Sequence, residues 1–265
     1  MKPFRTKLAF AAAAGSLALC AVAGQAQDRP TLRTDGTIVA MPPIAESSVA
    51  ITPDKYEAYV ERLEATEAVK RLIASFGYYR SANLPAETVA LFTQDGRVDY
   101  DGGQWVGHPA LTRLFEGRFR QAALAGTRGP QANVLNESYV LQPVIDVAAD
   151  NRSASARFRE IHYLGKRGES QLYGAMLYEA VFTRNDRGWA IRSLVPCLAW
   201  QTDYHEDLSK AKLPDYPKAA PVLYPEAADG PDRLSSQLCT PWPFGGITPP
   251  MHYPHPVTGE YINKP

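Results

Sequence analysis

His162 is the only histidine on a stretch of sequence that alternates like a β-strand. It follows Phe158 and Glu160 at intervals of two residues, so the three side chains share one face of the strand. An imidazole is the natural general acid or base near neutral pH, because it gains and loses its proton in that range. We therefore expect His162 to transfer a proton to or from a substrate. The alternative is a core histidine that hydrogen-bonds Glu160 or a tyrosine.

Tyr100 and Arg157 could supply polar contacts to the same substrate. Tyr100 ends the alternating run 97–100, and its phenol can donate a hydrogen bond to a substrate oxygen directly or through water. Arg157 lies on the strand face opposite to His162, and it would suit a phenolate or carboxylate if it pointed inward. The alternatives are a packed aromatic for Tyr100 and a solvated or subunit-facing position for Arg157.

Helices that precede a sheet must position these residues. Apolar residues at helical spacing predict a helix over 54–82, a short helix from Pro85 and a third that opens near His108 and fades by Gly126. The residues 94–96 predict a turn, and the glycine-containing turn 101–103 predicts a hairpin between short strands. Four long antiparallel strands are predicted over 134–147, 153–164, 171–183 and 189–204. This order is typical of an α+β fold.

The two ends of the chain differ from its centre. Lys2, Arg5 and Lys7 precede an apolar run, and small residues before position 27 predict a secretory signal over 1–26 rather than a transmembrane anchor. We therefore expect an exported, periplasmic protein with no membrane attachment after cleavage. Residues 27–53 form a polar leader. Residues 206–265 hold 12 of the 22 prolines together with several aromatics, which predicts an extended arm that docks on the body or on a neighbouring subunit.

Composition excludes several classes of function. Removal of residues 1–26 takes away three of the 28 basic residues and none of the 28 acidic ones, which leaves a net charge of about −3. That charge disfavours nucleic-acid binding. No serine-nucleophile, phosphate-loop or dinucleotide motif is present. Cys197 and Cys239 could form one disulfide or remain two buried thiols, and no cysteine or histidine pair has metal-ligand spacing.

Several short motifs, taken in order, resemble the SnoaL-like branch of the nuclear transport factor 2-like (NTF2-like) superfamily. They are the Leu-Phe-Thr-Gln-Asp-Gly-Arg-Val-Asp-Tyr run of 91–100, the segment 107–111, the strand residues 142–147 and 154–157, Tyr178-Glu179, and 188–191. The resemblance covers residues 54–205 and implies a cone-shaped α+β barrel whose helices pack on a curved antiparallel sheet around an apolar pocket. Scytalone dehydratase-like members of this branch are cofactor-independent lyases.

The resemblance also implies which residues carry the chemistry. The predicted catalytic residues are His162, Tyr100, Tyr79 and Glu137. The predicted substrate contacts are Tyr78, Arg80, Tyr139, Arg157, Tyr173, Glu179, Trp200 and Tyr204. A packing role is the alternative for each of them. The dehydratase pattern has an aspartate near Ser81 and a histidine near 136–139 that this sequence lacks, so an identical mechanism is not expected.

The resemblance implies a lyase that dehydrates or deformylates a hydrophobic hydroxylated aromatic molecule, with no cofactor and no metal. Bacterial lyases of lignin-derived aromatic dimers have a similar fold, so such a dimer is a candidate substrate. The alternatives are a non-catalytic small-molecule-binding or assembly protein, and an isomerase that uses Glu137 or Glu179 as its base. Since sheet faces in this superfamily often pair, we expect a homodimer or homotrimer.

Overall fold

The computed structural model describes residues 30–32, 38–40, 52–210, 216, 218–237 and 239–262. The predicted signal segment lies outside these residues. Within the predicted leader, β1 (Pro30–Leu32) pairs with β2 (Ile38–Ala40) as an antiparallel ribbon that the sequence did not predict. A second compact unit begins at Thr52. In the described part of the chain, no helix combines the length and apolarity needed to cross a membrane.

Three α-helices form one layer in the described part of the second unit. They are α1 (Pro53–Ser81), α2 (Pro85–Ala90) and α3 (Gly107–Glu116). Both α1 and α2 begin with a proline, whose fixed φ suits the first helical turn. The prediction that the third helix fades only by Gly126 was wrong, because the chain leaves α3 after Glu116 and packs the ring of Phe119 against Tyr100.

Seven strands of the described residues form one curved, unclosed sheet. They are β3 (Phe92–Tyr100), β4 (Gly103–Val106), β5 (Val134–Val147), β6 (Ser153–Lys166), β7 (Ser170–Asn185), β8 (Gly188–Asp203) and β9 (Arg233–Leu234). Their spatial order is β5-β6-β7-β8-β3-β4-β9. The pair β3–β8 is parallel and the others are antiparallel. The predicted α+β cone is confirmed, with β3 added in parallel to the predicted meander.

The predicted turn at 94–96 lies inside β3 instead of before it. The pairing of β3 with β8 shifts its register between Phe92 and Arg97, so the strand absorbs the Asp-Gly sequence as an irregularity. Such bulges let a strand continue through residues that otherwise favour a turn. The hairpin between β3 and β4 is confirmed.

The concave face of the sheet packs on the helices and forms the core. Phe76 of α1 meets Phe115 of α3 and Tyr178 of β7 edge to face, and Phe158 of β6 stacks on Tyr178 at 4.7 Å. These side chains are almost fully buried. Burial of each contributes about 1.5–3 kcal/mol, and this packing fixes the helix layer against the sheet.

The proline-rich C-terminal segment, residues 206–262 of the described chain, is called the arm below. It contacts the barrel at several points: β9 pairs with β4, and the Trp105 indole donates a hydrogen bond to the Asp229 carbonyl at 3.2 Å. A disulfide joins Cys197 of β8 to Cys239 of the arm, which decides between the two alternatives that the sequence left open. Gly103 leaves the space that Pro231 occupies, since a Cβ there would lie 2.5 Å from the proline ring.

Candidate active site

A cavity of about 300 Å³ opens between the helix layer and the concave face of the sheet. It is called the inner cavity below. Its walls come from the C-terminal end of α1, from α2, from α3 and the residues after it, and from β3 and β5 to β8. The apolar walls include Phe115, Phe119, Leu124, Leu164, Leu172, Met176 and Leu198, and the polar walls include Tyr79, Arg80, Tyr100, Asn136, His162 and Gln201.

His162 is buried in the wall of the inner cavity, with one polar side chain near each ring nitrogen. Its Nε2 lies 3.3 Å from Gln201 Oε1, and its Nδ1 lies 3.6 Å from Glu160 Oε1. Gly174, opposite on β7, leaves room for the ring, because a Cβ there would lie 2.7 Å from Nε2. A glycine inside a strand often marks such a close approach. The imidazole is therefore held in one orientation at the cavity.

Glu160 is a fully buried carboxylate beneath His162. It forms an ion pair with Arg80 and accepts hydrogen bonds from Tyr178 Oη at 2.5 Å and Ser138 Oγ at 3.1 Å. Burial alone would raise the pKa of Glu160, but the charge of Arg80 and hydrogen bonds from His162 and Tyr178 outweigh it and lower that pKa to about 2. Glu160 therefore remains negative and can stabilise a protonated His162.

Arg80 brings a positive charge to the floor of the inner cavity. Besides its ion pair with Glu160, it donates a hydrogen bond to Tyr178 Oη at 2.8 Å, and its guanidinium lies 4.5 Å from the centre of the Phe119 ring. Burial would lower the pKa of Arg80, but the adjacent Glu160 outweighs that effect and raises it. Arg80 is therefore always charged, and its charge is balanced by that of Glu160.

Tyr100 presents a phenol to the inner cavity. Burial, and then the charge of Asp101, raise the pKa of the Tyr100 hydroxyl well above its usual value, so the phenol keeps its proton. Within the described residues, no group hydrogen-bonds this hydroxyl. Tyr79, at the end of α1, is half-buried and lines the same cavity. Tyr100 is thus a hydrogen-bond donor that a ligand can use.

Three basic side chains surround the cavity: Arg118, Arg120 and Lys218. Arg118 lies 3.4 Å from Asp229, and Lys218 of the arm lies 2.9 Å from Asp101. Arg80 is likewise paired with Glu160, so carboxylates balance three of these four charges. The N–H groups of the lining are hydrogen-bond donors that suit an oxygen of a ligand.

Four predicted site residues line the cavity: His162, Tyr100, Tyr79 and Arg80. The other eight predicted residues do not line the cavity. Each of them lies on a side of its helix or strand that points away from the cavity, or beyond the end of a strand. Tyr78 is 76% exposed, because it lies about 100° around α1 from Tyr79. On β5, Ser138 points inward and bonds Glu160, so Glu137 and Tyr139 point outward.

Arg157 and Glu179 lie on the convex face of the sheet and not in the cone. Arg157 donates a hydrogen bond to Glu179 at 2.5 Å and to the Pro249 carbonyl of the arm at 3.0 Å. The arm's His252 lies between Glu179 Oε2 at 2.9 Å and Asp146 Oδ2 at 3.1 Å. These residues hold the arm to the barrel, and neither Arg157 nor Glu179 can reach the inner cavity.

Three predicted aromatics also lie on the convex face. Tyr173 packs on Trp200 at 5.2 Å and on Tyr204 at 5.7 Å, and it stacks on Tyr163 at 6.3 Å. Gln201 points into the cavity, so its neighbour Trp200 must point away. The predicted roles of Tyr173, Trp200 and Tyr204 in the cone were wrong for this reason.

Sequence reasoning missed Gln201, Arg118, Arg120 and Lys218, and it did not assign Asn136 to the site. Asn136 donates hydrogen bonds to the carbonyls of Arg80 at 2.7 Å and Ser81 at 3.2 Å, and so ties the end of α1 to β5. From the sequence, Glu160 was considered only as the hydrogen-bond partner of a core histidine. Glu160 and Asn136 could have been found from the alternation that placed His162 inward, since each lies an even number of residues from an inward neighbour on its strand. Within the described residues, no three His, Cys, Asp or Glu side chains converge as metal ligands.

Comparison with known proteins gives structural and family matches. An NTF2-like protein of Novosphingobium aromaticivorans is 18% identical, with a TM-score of 0.46, and covers 56% of this chain and 90% of its own. A protein of the same organism assigned as a scytalone dehydratase is 19% identical, with a TM-score of 0.46, and covers 58% and 99%. The hexachlorocyclohexane dehydrochlorinase LinA-type3 of Novosphingobium barchaimii is 14% identical, with a TM-score of 0.46, and covers 56% and 96%.

No curated protein matches the chain. The family of SnoaL-like domains matches residues 61–195, which is just over half of the chain and contains α2, α3, β3 to β7, most of α1 and half of β8. The inner cavity described above lies largely within that segment. The chain therefore belongs to the SnoaL-like family of the NTF2-like superfamily.

Proposed function

We propose that this protein is a cofactor-independent lyase that removes water, or water and a formaldehyde unit, from a hydrophobic hydroxylated aromatic molecule. The observation that carries the proposal is the position of His162, which is buried against the carboxylate of Glu160 and lines the same cavity as the protonated phenol of Tyr100. A fixed acid–base group and a fixed hydrogen-bond donor are what an elimination requires. Lignin-derived aromatic dimers are candidate substrates.

The first step is loss of a benzylic hydroxyl group from a para-hydroxyaryl substrate. The phenol loses its proton to solvent, and hydrogen bonds from Tyr100 and from the guanidinium of Arg80 stabilise the phenolate. The benzylic C–O bond then breaks with its electron pair on oxygen, and protonated His162 gives that oxygen a proton, so water departs. The ring becomes a quinone methide, and His162 becomes neutral.

The second step restores the aromatic ring. Neutral His162 takes a proton from the carbon next to the quinone methide, which completes a dehydration. Where that carbon bears a hydroxymethyl group, His162 takes the hydroxyl proton instead, and the C–C bond breaks with its electrons moving into the ring, which releases formaldehyde. In both cases His162 is protonated again, and the phenolate regains a proton from solvent.

The isomerase alternative loses its two proposed bases. Glu137 and Glu179 lie on the convex face, and the pKa of Glu160 is lowered to about 2, which makes it a weak base. A non-catalytic binder would not need an imidazole that lines the cavity beside a buried carboxylate. The geometry therefore favours elimination over either alternative.

The test compares variants of the cavity with matched variants elsewhere. His162→Ala and Tyr100→Phe are expected to lower turnover of a panel of para-hydroxyaryl alcohols by about 100-fold or more, the usual contribution of a positioned acid–base group. His205→Gln and Tyr173→Phe, on exposed and convex positions, are expected to retain it. Products are detected by mass spectrometry. Full activity in both cavity variants would refute the proposal.

We also propose that the protein acts after export, in the periplasm, and as a homodimer or homotrimer. The N-terminal signal pattern supports export, and exposed aromatics of the convex face such as Tyr139, at 51% exposure, support self-association. Cell fractionation with an antibody tests the location. Sedimentation of the wild type against Tyr139→Glu tests whether this face forms the contact, and an unchanged oligomer would contradict it.

A further inference from the structure

A second cavity lies between the barrel and the arm. It has a volume of about 650 Å³ and is called the outer chamber below. The turn 99–102 and the ends of β7 and β8 form its barrel wall, and arm residues between Tyr216 and Pro241 form the opposite wall. The volume falls within the range of about 300–1,000 Å³ that small-molecule sites occupy.

The outer chamber adjoins the inner cavity. Both are lined by the same five residues, Tyr100, Leu172, Leu198, Gln201 and Lys218. Two of the five also belong to the proposed reacting end of the inner cavity. Gln201 hydrogen-bonds His162, and the Tyr100 hydroxyl has no partner among the described residues. The two cavities are therefore adjacent and share part of their walls.

The arm wall of the outer chamber is fixed before any ligand binds. Ser235 Oγ donates a hydrogen bond to Asp99 Oδ1 at 2.7 Å, and the Trp242 amide donates one to the Ala199 carbonyl at 2.7 Å. The disulfide between Cys197 and Cys239 joins the same segment to β8. A wall held in this way loses little conformational entropy when a ligand is bound, which favours affinity.

The chemistry of the walls suits an aromatic group with polar substituents. Leu234, Pro196 and Pro241 give apolar surface, and Leu234 is left 56% exposed at the chamber. Tyr216 supplies an aromatic ring, and Gln237 and Thr240 supply hydrogen-bonding groups. Apolar walls with a few polar groups are the composition of sites that bind aromatic ligands.

We infer that the outer chamber is a second subsite, built by the arm, that binds the distal aromatic ring of an elongated two-ring substrate whose hydroxyaryl end lies in the inner cavity. This inference rests on the proposed function, since it takes the inner cavity as the reacting end. It assigns the arm a role in substrate selection. Single-ring substrates leave the chamber to water and bind more weakly.

Binding of two unreactive phenols tests the subsite without turnover. 4-(2-Phenylethyl)phenol has two rings, 4-ethylphenol has one, and neither carries a leaving group. By calorimetry, the wild type is expected to bind the two-ring phenol at least about tenfold more tightly. Ala220→Trp, which fills the chamber from its wall, is expected to abolish this difference without changing the affinity for 4-ethylphenol.

The matched control is Ala228→Trp, an exposed arm position that does not line the chamber, and it is expected to keep the full difference. Ala219→Trp fills the chamber from the neighbouring residue and replaces Ala220→Trp if the latter does not fold. Equal wild-type affinities, or a difference that survives both filling variants, would overturn the inference. His162→Ala should keep the binding difference, so retained turnover in that variant defeats only the proposed function.

Discussion

The buried pair of Glu160 and Arg80 allows a quantitative prediction about stability. The pKa of Glu160 is lowered to about 2 in the folded protein, against 4.5 for a glutamate in water. A folded-state pKa below the unfolded one gives stability that is present above the unfolded pKa and is lost as pH falls through the folded pKa. The difference corresponds to about 3 kcal/mol of stabilisation by the ionised carboxylate at pH 7.

Glu160→Gln removes that charge and leaves the Arg80 guanidinium without its counter-ion. We expect the free energy of unfolding, measured by urea denaturation at pH 7, to fall by about 3–5 kcal/mol, the range for breaking a buried ion pair. As the pH is lowered from about 4.5 toward about 2, the wild type loses the same contribution. The gap between the two proteins should therefore close over that interval.

Glu226→Gln is the matched control, because Glu226 is exposed and forms no ion pair among the described residues. We expect its unfolding free energy to follow that of the wild type at every pH. A Glu160→Gln protein as stable as the wild type at pH 7, or a gap that stays constant down to pH 2.5, would refute the reasoning.

Three further predictions follow from single contacts. Gly174→Ala places a methyl group 2.6 Å from the Trp200 carbonyl and 2.7 Å from His162 Nε2, so the ring must move and turnover is expected to fall at least about tenfold while circular dichroism shows a folded protein. The double change of Cys197 and Cys239 to serine removes the disulfide that closes a loop of 42 residues. The loss of about 2–4 kcal/mol in unfolding free energy should lower the melting temperature, measured by calorimetry, by roughly 4–16 °C. His252→Ala removes the side chain that bridges two carboxylates of the convex face, so limited proteolysis should cut the arm faster than in the wild type. An unchanged cleavage rate would show that the arm is held without it.

The order of elements could be predicted from the sequence because hydrophobic periodicity and turn residues are local properties. The helix over 54–82 and the four long strands lie within a few residues of α1 and of β5 to β8. Local signals failed where a distant partner decided the outcome. The Asp-Gly pair at 95–96 lies within β3 because that strand pairs with β8 on both sides of it. The helix α3 ends earlier than predicted, and Phe119, just after it, packs on the ring of Tyr100.

The same distinction explains the site. Alternation determines which residues of a strand share a face, and it correctly grouped Glu160 with His162 and Glu137 with Tyr139. It cannot determine which face turns toward the helices. A shift of one residue in the pairing register turns every side chain of a strand to the other face, and the local sequence does not distinguish the two registers. Glu137 and Tyr173 were misplaced for that reason.

By itself, then, the sequence determined a SnoaL-like α+β barrel and His162 as its acid–base candidate. Only the tertiary structure shows that Arg80 and Glu160, 80 residues apart in sequence, form an ion pair beneath His162. It also shows that the arm forms one wall of the outer chamber beside the inner cavity. Contacts between residues so distant in sequence depend on the packing of the helices on the sheet, which no local pattern encodes.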